Sequence, residues 1–364
     1  MPRNRRLGES MRARAEEILS DLVLLKSSSE DDMRAIVQYV SSRLEKLGMK
    51  PRYYGEKKTP AIVASFKKGG VVLSGHLDTV PRGTGWKYED GMAANGFIYG
   101  RGSCDMKGGC TAMLLAAEDL VAANIPFSLC FTTDEEVTMA GALASTKDRA
   151  LKNASAILVT EPTGFDIIYK EKGQLQLSIS TSGEACHSSM PQLGDNAIAK
   201  MVDLLAKLQD LQRIPPNPTT DMTLSMTTIK GGTRINVIPD LCETEIDIRY
   251  PGTMDDRGVI LEIKNRIGMK GYGLKIIHNL DPVETDPNSP AIQTMKELLG
   301  PTAKVSAVPY ATEMVMFSKA NKSVMICGPG DPKGCHIVDE KIELAKVTRA
   351  AEIYREYCSR MSSE

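Results

Sequence analysis

Four short apolar runs in the first half of the chain constrain its fold more than any other feature of the sequence. Each run has the length of a buried β-strand, and a helical stretch, residues 106–122, separates the second run from the third. The runs cover residues 61–65, 71–77, 127–133 and 156–160. Because buried strands alternate with a helix here, the pattern predicts an α/β sheet with both faces covered.

A different pattern begins near Gly173 and continues to about residue 282. Apolar and polar residues now alternate along the first strand, which is typical of a half-buried strand. The predicted order is strand, helix, strand, strand, helix, strand, over residues 174–182, 196–211, 223–229, 242–250, 254–268 and 274–280, with a Pro-rich connection at 213–220. This order predicts a small ferredoxin-like α+β sandwich.

The α/β pattern then resumes with a helix, a strand and a final helix, at residues 291–299, at 324–327 and from about Ile342. The length of the chain favours two domains. We therefore predict a discontinuous α/β domain of residues 1–172 and 283–364, with an inserted α+β domain of residues 173–282.

One more helix is predicted before the first strand. Ser29 is its predicted N-cap, three acidic residues follow in the first turn, and Gly48 ends it. Apolar residues recur at helical spacing from Met33 to Leu47. We expect this helix to be part of the scaffold.

Residues able to bind a metal ion follow the predicted strands. His76 and Asp78 lie two positions apart at the end of a strand, so their side chains share one face. Other strand ends or glycine-rich segments lead to Asp105, Asp134, Glu135, Glu136, Glu161 and His336. Ligands bind at the carboxyl ends of strands in open α/β sheets. A mixed nitrogen and oxygen donor set suits zinc, with cobalt or manganese as substitutes.

Two neighbouring metal ions need a bridging carboxylate, and hydrolysis also needs a free carboxylate that carries a proton. Glu135 and Glu136 can supply a ligand and a free base, because adjacent side chains diverge. A histidine at a strand end is, however, more often packed or solvated than ligating, and His278 is predicted to be structural. Cys335-His336 has no companion cysteine pair nearby in the sequence. Spacing alone leaves a metal site and an ordinary solvated edge both open.

Composition and charge exclude several classes of function. Lys and Arg total 45 against 46 Asp and Glu, a net charge of −1, which argues against nucleic-acid binding. No run approaches the roughly 18 apolar residues of a membrane span, and no signal-peptide core follows the basic start. Eight cysteines occur without a CxxC pair and are expected to be reduced thiols. We therefore expect a cytoplasmic protein.

Several motifs, taken in order, resemble those of the metallopeptidase family of acetylornithine deacetylase, succinyl-diaminopimelate desuccinylase and carboxypeptidase G. They lie at residues 75–81, 100–109, 133–136, 161–163, 186–189 and 328–330, and His336 follows the last one. The resemblance runs from about Glu30 to Leu344. It implies a zinc-peptidase-like catalytic domain with an inserted ferredoxin-like lid and dimerisation domain.

The resemblance implies two zinc ions in each subunit, with cobalt or manganese as substitutes. His76, Asp105 and Glu161 would bind one zinc ion. Asp105, Glu136 and His336 would bind the other, so that Asp105 bridges the pair.

The resemblance also implies catalytic and substrate-binding roles. Asp78 would orient the neighbouring histidine ligand, and Glu135 would be the general acid and base. His187 of the inserted domain would stabilise the oxyanion, in its own subunit or across a homodimer formed through that domain. Asn236 and Arg249 would contact the substrate, a small N-acyl amino acid.

Two segments favour one branch of this family. Residues 133–142 and 311–313 look most like those of acetylornithine deacetylases, which implies removal of an acetyl group in amino-acid biosynthesis. Desuccinylation and di- or carboxypeptidase activity are the alternatives, and a zinc-binding protein without catalysis is a further one. Cys186 and Thr160 stand where the family usually has Gly, which leaves the preferred acyl group open.

Overall fold

The computed structural model describes residues 2–212, 215–217 and 219–362. Its contacts divide the chain into two compact units. The large unit comprises Met1–Tyr169, Thr285–Ser306 and Thr312–Glu364, and the small unit comprises Lys170–Glu284 and Ala307–Ala311.

The helices of the described residues are α1 (Pro2–Leu24), α2 (Arg34–Lys46), α3 (Gly108–Ala122), α4 (Ala140–Ser145), α5 (Arg149–Lys152), α6 (Ala197–Ala206), α7 (Asp256–Ile267), α8 (Pro290–Leu299), α9 (Met314–Phe317) and α10 (Leu344–Met361). A π-type turn, Ser103–Lys107, leads into α3. Among these residues, no helix has the length and apolar character needed to cross a membrane.

The first strands are β1 (Arg52–Gly55), β2 (Pro60–Phe66), β3 (Val71–His76), β4 (Ala93–Ala94), β5 (Phe97–Tyr99), β6 (Phe127–Thr132), β7 (Ile157–Val159), β8 (Ile167–Glu171) and β9 (Gly173–Ser182). The remaining strands are β10 (Cys186–His187), β11 (Thr223–Gly231), β12 (Val237–Ile238), β13 (Leu241–Tyr250), β14 (Gly273–Leu280), β15 (Val283–Glu284), β16 (Val305–Val308), β17 (Val324–Ile326) and β18 (Lys341–Glu343).

The main sheet has the strand order β1-β2-β6-β3-β7-β17-β8-β15, and β16 pairs with β8. Strands β6, β3, β7 and β17 are neighbours and run parallel to one another. Every residue of these four strands is buried, as expected for parallel strands covered on both faces. The predicted α/β sheet is therefore present, and four strand ends meet at one edge.

Helix α1 is not among the predicted elements. Its residues Ala15, Ile18, Leu19 and Leu22 recur at helical spacing and are fully buried. The helix packs against α3 and α10, and all three contribute to the main hydrophobic core. The periodicity that predicts α2 is thus present in α1 as well.

Helix α2 begins later than predicted. It starts at Arg34, and Met33 occupies the N-cap position without a capping side chain. Asp31 instead accepts hydrogen bonds from the N–H and the hydroxyl of Ser28, at 2.9 and 2.7 Å. These bonds hold the preceding residues in a turn, so the prediction of Ser29 as the N-cap was wrong.

The small unit contains a four-stranded antiparallel sheet of order β11-β13-β9-β14. Burial alternates along β9, and its inward side chains pack with Met201 of α6 and Ile263 of α7. With two helices between its strands, this is the ferredoxin-like arrangement, which confirms the predicted fold class. Helix α6 is shorter than the predicted helix 196–211, and the predicted connection 213–220 lies partly outside the described residues.

Candidate metal centre

The four parallel central strands direct acidic and histidine side chains to one edge of the main sheet. His76 is the last residue of β3, Glu135 and Glu136 follow β6, and Glu161 follows β7. The loop after β17 carries His336. This is the edge at which open α/β sheets bind ligands.

The ring of His76 is fully buried and held from both sides. Its Nδ1–H donates to the backbone carbonyl of Asp78 at 2.9 Å, which leaves Nε2 free to bind a metal ion. Nε2 lies 3.2 Å from Oδ1 of Asp105 and 3.4 Å from Oε1 of Glu161. The carboxylate of Asp78 accepts the backbone N–H of Glu136 at 3.1 Å. Asp78 therefore connects two candidate ligands.

Asp105 lies between the two histidines. Its Oδ1 faces Nε2 of His76 at 3.2 Å, and its Oδ2 faces Nε2 of His336 at 3.3 Å. Nε2 of His336 also lies 2.9 Å from Oε1 of Glu136. One carboxylate thus offers an oxygen to each histidine, which is the arrangement expected of a residue that bridges two metal ions.

These side chains fit a metal site by their chemistry and spacing. His76, Asp105 and Glu136 offer ligand atoms within 4.8 Å of one another, and so do His76, Glu135 and Glu161. All of these donors are imidazole nitrogens or carboxylate oxygens, a set that suits zinc and related divalent ions. Both glutamates after β6 offer a carboxylate oxygen within 4.8 Å of a ring nitrogen of His76. Which of them binds metal and which acts as the base therefore stays a prediction.

The electrostatics of the cluster favour a cation. Burial raises the pKa of Glu161 and of Glu135 well above the usual range of a carboxyl group. Burial would also raise the pKa of Asp105, but hydrogen bonds from His336 and His76 lower it below its usual value. Hydrogen bonds to Asp105 and Glu136 raise the pKa of His336 to about 10. A bound divalent ion would neutralise these crowded carboxylates.

Comparison with known proteins identifies the family. The model of peptidase family M20/M25/M40 matches residues 72–360. The chain belongs to this family. As a member of this family the protein is a metal-dependent hydrolase, and the resemblance to the deacetylase and desuccinylase family is confirmed.

Two relatives of similar sequence have names that describe different activities. A probable succinyl-diaminopimelate desuccinylase of Staphylococcus aureus is 28% identical over 389 residues, covering 93% of this chain and 95% of the relative. An acetylornithine deacetylase of Pectobacterium atrosepticum is 32% identical over 305 residues, covering 79% of each chain.

Solved structures share the fold at lower identity. A tripeptidase from Staphylococcus aureus is 17% identical, with a TM-score of 0.80, over 97% of this chain and 99% of that one. A dinuclear metal-binding M20 peptidase from Bacillus subtilis is 16% identical, with a TM-score of 0.74, over 98% and 99%. These likenesses show that the chain has the fold of these two structures.

Two buried acids beside the candidate centre were not among the predicted site residues. Glu340 accepts the backbone N–H groups of Cys104 and Asp105 at 2.9 and 3.1 Å, and its other oxygen pairs with Arg101 at 2.6 Å. Glu313 accepts the hydroxyl of Thr132 at 2.8 Å, and burial raises its pKa to about 7. The sequence signal for such an acid was Arg101, a charged residue inside a glycine-rich motif, because a buried arginine needs an acidic partner.

Three predicted site residues belong to the small unit. Nδ1 of His187 lies 2.8 Å from the hydroxyl of Ser189, and β10, which contains His187, pairs with β12. The carbonyl of Asn236 accepts the N–H of Ser188 at 3.0 Å, so Asn236 lies in the same ladder as His187. Arg249 donates to Asp247 at 2.7 Å. The roles of these residues stay predictions.

Proposed function

We propose that this member of the M20 family removes an N-acyl group from an amino-acid substrate, with an acetyl group as the first choice. The observation that carries this proposal is the position of Asp105, whose two oxygens face His76 and His336 beside the Glu135–Glu136 pair. Such a constellation suits hydrolysis of an amide by two metal ions. The acetylornithine deacetylase among the relatives supports the choice of acyl group.

Zinc is the proposed metal, with two ions per subunit. His76, Asp105 and Glu161 would hold one ion, and Asp105, Glu136 and His336 would hold the other. When bound, such ions polarise the scissile carbonyl and lower the pKa of a coordinated water to about 7. The dinuclear peptidase from Bacillus subtilis supports the number of ions.

Glu135 is the proposed general base and acid. It would accept a proton from the attacking water and return it to the nitrogen of the leaving amine. Burial raises its pKa, so a proton taken up by this carboxylate is held more firmly than by an exposed one. That property suits a residue that must carry the proton from one step to the next.

Substrate recognition is assigned to the small unit. Arg249 would hold the carboxylate of the amino-acid product, because a guanidinium binds carboxylates through two parallel hydrogen bonds. Asn236 and His187 would contact the acyl part, with His187 donating to the oxyanion. A homodimer formed through the small unit and a cytoplasmic location complete the proposal.

The test is release of primary amine from N-acetylornithine, N-succinyl-diaminopimelate and a set of dipeptides. The purified protein is assayed as prepared, after chelation, and after readdition of zinc or cobalt. Turnover of N-acetylornithine that is lost on chelation and restored by metal supports the proposal. Preference for the succinyl substrate or for dipeptides would refute the choice of acyl group, and turnover insensitive to chelation would refute the metal assignment.

A further inference from the structure

Two thiols that are distant in sequence meet beside the metal centre. Cys104 precedes Asp105, and Cys335 precedes His336. Their Sγ atoms lie 3.9 Å apart although the residues are separated by 231 positions. Both thiols also point at one backbone oxygen, the carbonyl of Asp331, at 3.5 and 3.6 Å.

The two thiols differ in access to solvent. Cys104 is buried, whereas Cys335 is partly exposed, and both are free thiols. A reagent in solution therefore reaches Cys335 first, and Cys104 is placed behind it to complete a second step. Cys186 has intermediate exposure as well, and it provides a natural comparison.

The loop that carries Cys335 lies directly on Cys104. A methyl group at Gly330 would stand 2.7 Å from Sγ of Cys104, and one at Gly334 would stand 3.6 Å from it. A disulfide requires sulfur atoms about 2.05 Å apart, so the two sulfurs must approach each other by roughly 2 Å. Rotation of the Cys335 side chain together with a small shift of its loop can supply this movement.

We propose that Cys104 and Cys335 form a reversible disulfide with small disulfide compounds as oxidants, and that this bond weakens metal binding. The second part rests on the proposed function, since it requires that Asp105 and His336 bind metal. Cys335 gives up its proton and bonds to one sulfur of the oxidant, which releases the first small thiol. Cys104 then gives up its proton and displaces the second small thiol, so that two protein thiols are oxidised and one disulfide is reduced.

The coupling to the metal centre follows from chain connectivity. Each cysteine is joined by one peptide bond to a candidate ligand, and the two ligands face each other through His336 Nε2 and Asp105 Oδ2 at 3.3 Å. Metal sites tolerate displacements of only about 0.5 Å. The part of the roughly 2 Å approach that the Cys335 loop supplies also moves His336 relative to Asp105, and a share above about 0.5 Å exceeds this tolerance.

Formation of the bond is tested on the reduced full-length protein with cystine as the oxidant. The reaction is followed over hours at about pH 8.5, where an ordinary free thiol is partly ionised. Trypsin releases Cys104 in the peptide 102–107 and Cys335 in the peptide 334–341, each with a single cysteine. We expect these two peptides to be joined by a disulfide, and to separate after phosphine reduction.

Variants supply the controls for this measurement. Cys335→Ser should abolish the joined peptide, whereas Cys186→Ser should leave it unchanged. Absence of the 102–107 to 334–341 cross-link in folded wild-type protein, as judged by circular dichroism, would overturn the proposed bond. Cross-linking of either peptide mainly to another cysteine would overturn it as well.

The effect of the disulfide on metal binding is measured by cobalt titration, followed through visible absorption. Oxidised protein should bind cobalt at least about tenfold more weakly than reduced protein, and phosphine should restore the affinity. The Cys335→Ser variant should show no such loss after cystine treatment. Equal cobalt affinity in the oxidised and reduced forms would overturn the coupling, whereas failure of the reduced protein to bind cobalt would refute the proposed metal site and not the disulfide.

Discussion

The carboxylate of Glu340 accepts the backbone N–H of Asp105 at 3.1 Å. The same oxygen accepts the N–H of Cys104 at 2.9 Å, and the other oxygen pairs with the buried guanidinium of Arg101. Glu340 is fully buried, and it belongs to neither of the two groups of candidate metal ligands found among the described residues. The residue that faces both histidines is therefore positioned by a second carboxylate through its backbone.

Replacing Glu340 should weaken metal binding without removing a ligand. We expect Glu340→Gln to lower zinc or cobalt affinity by about 10- to 100-fold, because the amide loses the ion pair with Arg101 and holds the Asp105 segment less firmly. Cobalt titration measures the affinity, and Glu352→Gln, an exposed change on α10, is the control. Unchanged affinity in a folded Glu340→Gln protein would contradict the positioning role.

Substituting each of the two glutamates after β6 should distinguish the general base from the metal ligand. Glu135→Gln should lower kcat by about 10²- to 10⁴-fold while the protein keeps its metal content, because only proton transfer is lost. Glu136→Gln should instead lose bound metal, since its carboxylate approaches His336 at 2.9 Å. Metal content by mass spectrometry and kcat on the best substrate distinguish the two. The opposite pattern would exchange the roles of ligand and base.

The sequence predicts an element of structure correctly where a short local pattern is enough to specify that element. Strands β3, β6, β7 and β17 are continuous apolar runs, so their position and the residues at their ends could be predicted. The distance between Asp105 and His336 could not, because it depends on packing between segments far apart in the chain. The same holds for Cys104 and Cys335, which sequence spacing alone left without companions.

A competing side-chain hydrogen bond explains the error at the start of α2. Ser29 has the residue type of an N-cap, but Asp31 binds Ser28 and forms a turn instead. Glu340 was missed for another reason, since a carboxylate that binds backbone N–H groups leaves no motif in the sequence. Its partner Arg101 lies in a segment whose recognisable pattern consists of its glycines.

Close packing between α3 and the end of β7 should make Gly109 difficult to replace. A methyl group at Gly109 would lie 2.3 Å from the backbone oxygen of Thr160, which precedes Glu161. Alanine favours helices by about 1 kcal/mol over glycine, yet we expect Gly109→Ala to lower the free energy of unfolding by about 1–3 kcal/mol. Urea unfolding measures this change.

A second helical glycine gives the comparison for this substitution. At Gly258 in α7 a methyl group would meet only a carboxylate oxygen of Asp255, at 3.1 Å. Gly258→Ala should therefore cost less free energy of unfolding than Gly109→Ala, because a side chain can move aside and a backbone carbonyl cannot. Equal costs would contradict the importance of the contact with Thr160.

Asp148 should give a stability difference that depends on pH. Its buried carboxylate accepts hydrogen bonds from Arg52 at 2.7 Å, from Tyr54 at 2.8 Å and from the N–H of Ala150 at 2.7 Å. Burial opposes ionisation, but these partners lower the pKa of Asp148 below its ordinary value of 3.8. Asp148→Asn keeps the size and the helix cap, and it should lower the free energy of unfolding at pH 7 by about 1–2 kcal/mol, because Arg52 is partly exposed and its ion pair is screened.

The sign of the pH effect follows from the direction of that shift. A carboxyl group with a lowered pKa in the folded state stabilises the protein above its unfolded pKa of 3.8, and this contribution is lost as the pH falls through the folded value. The difference between wild type and Asp148→Asn should therefore be largest near neutral pH and shrink as the pH falls below about 4. Urea unfolding at pH 7 and below about pH 4 measures this difference in the free energy of unfolding, with Glu352→Gln as the exposed control. A difference that stays constant or grows on acidification would show that the ionised carboxylate of Asp148 does not stabilise the fold through Arg52.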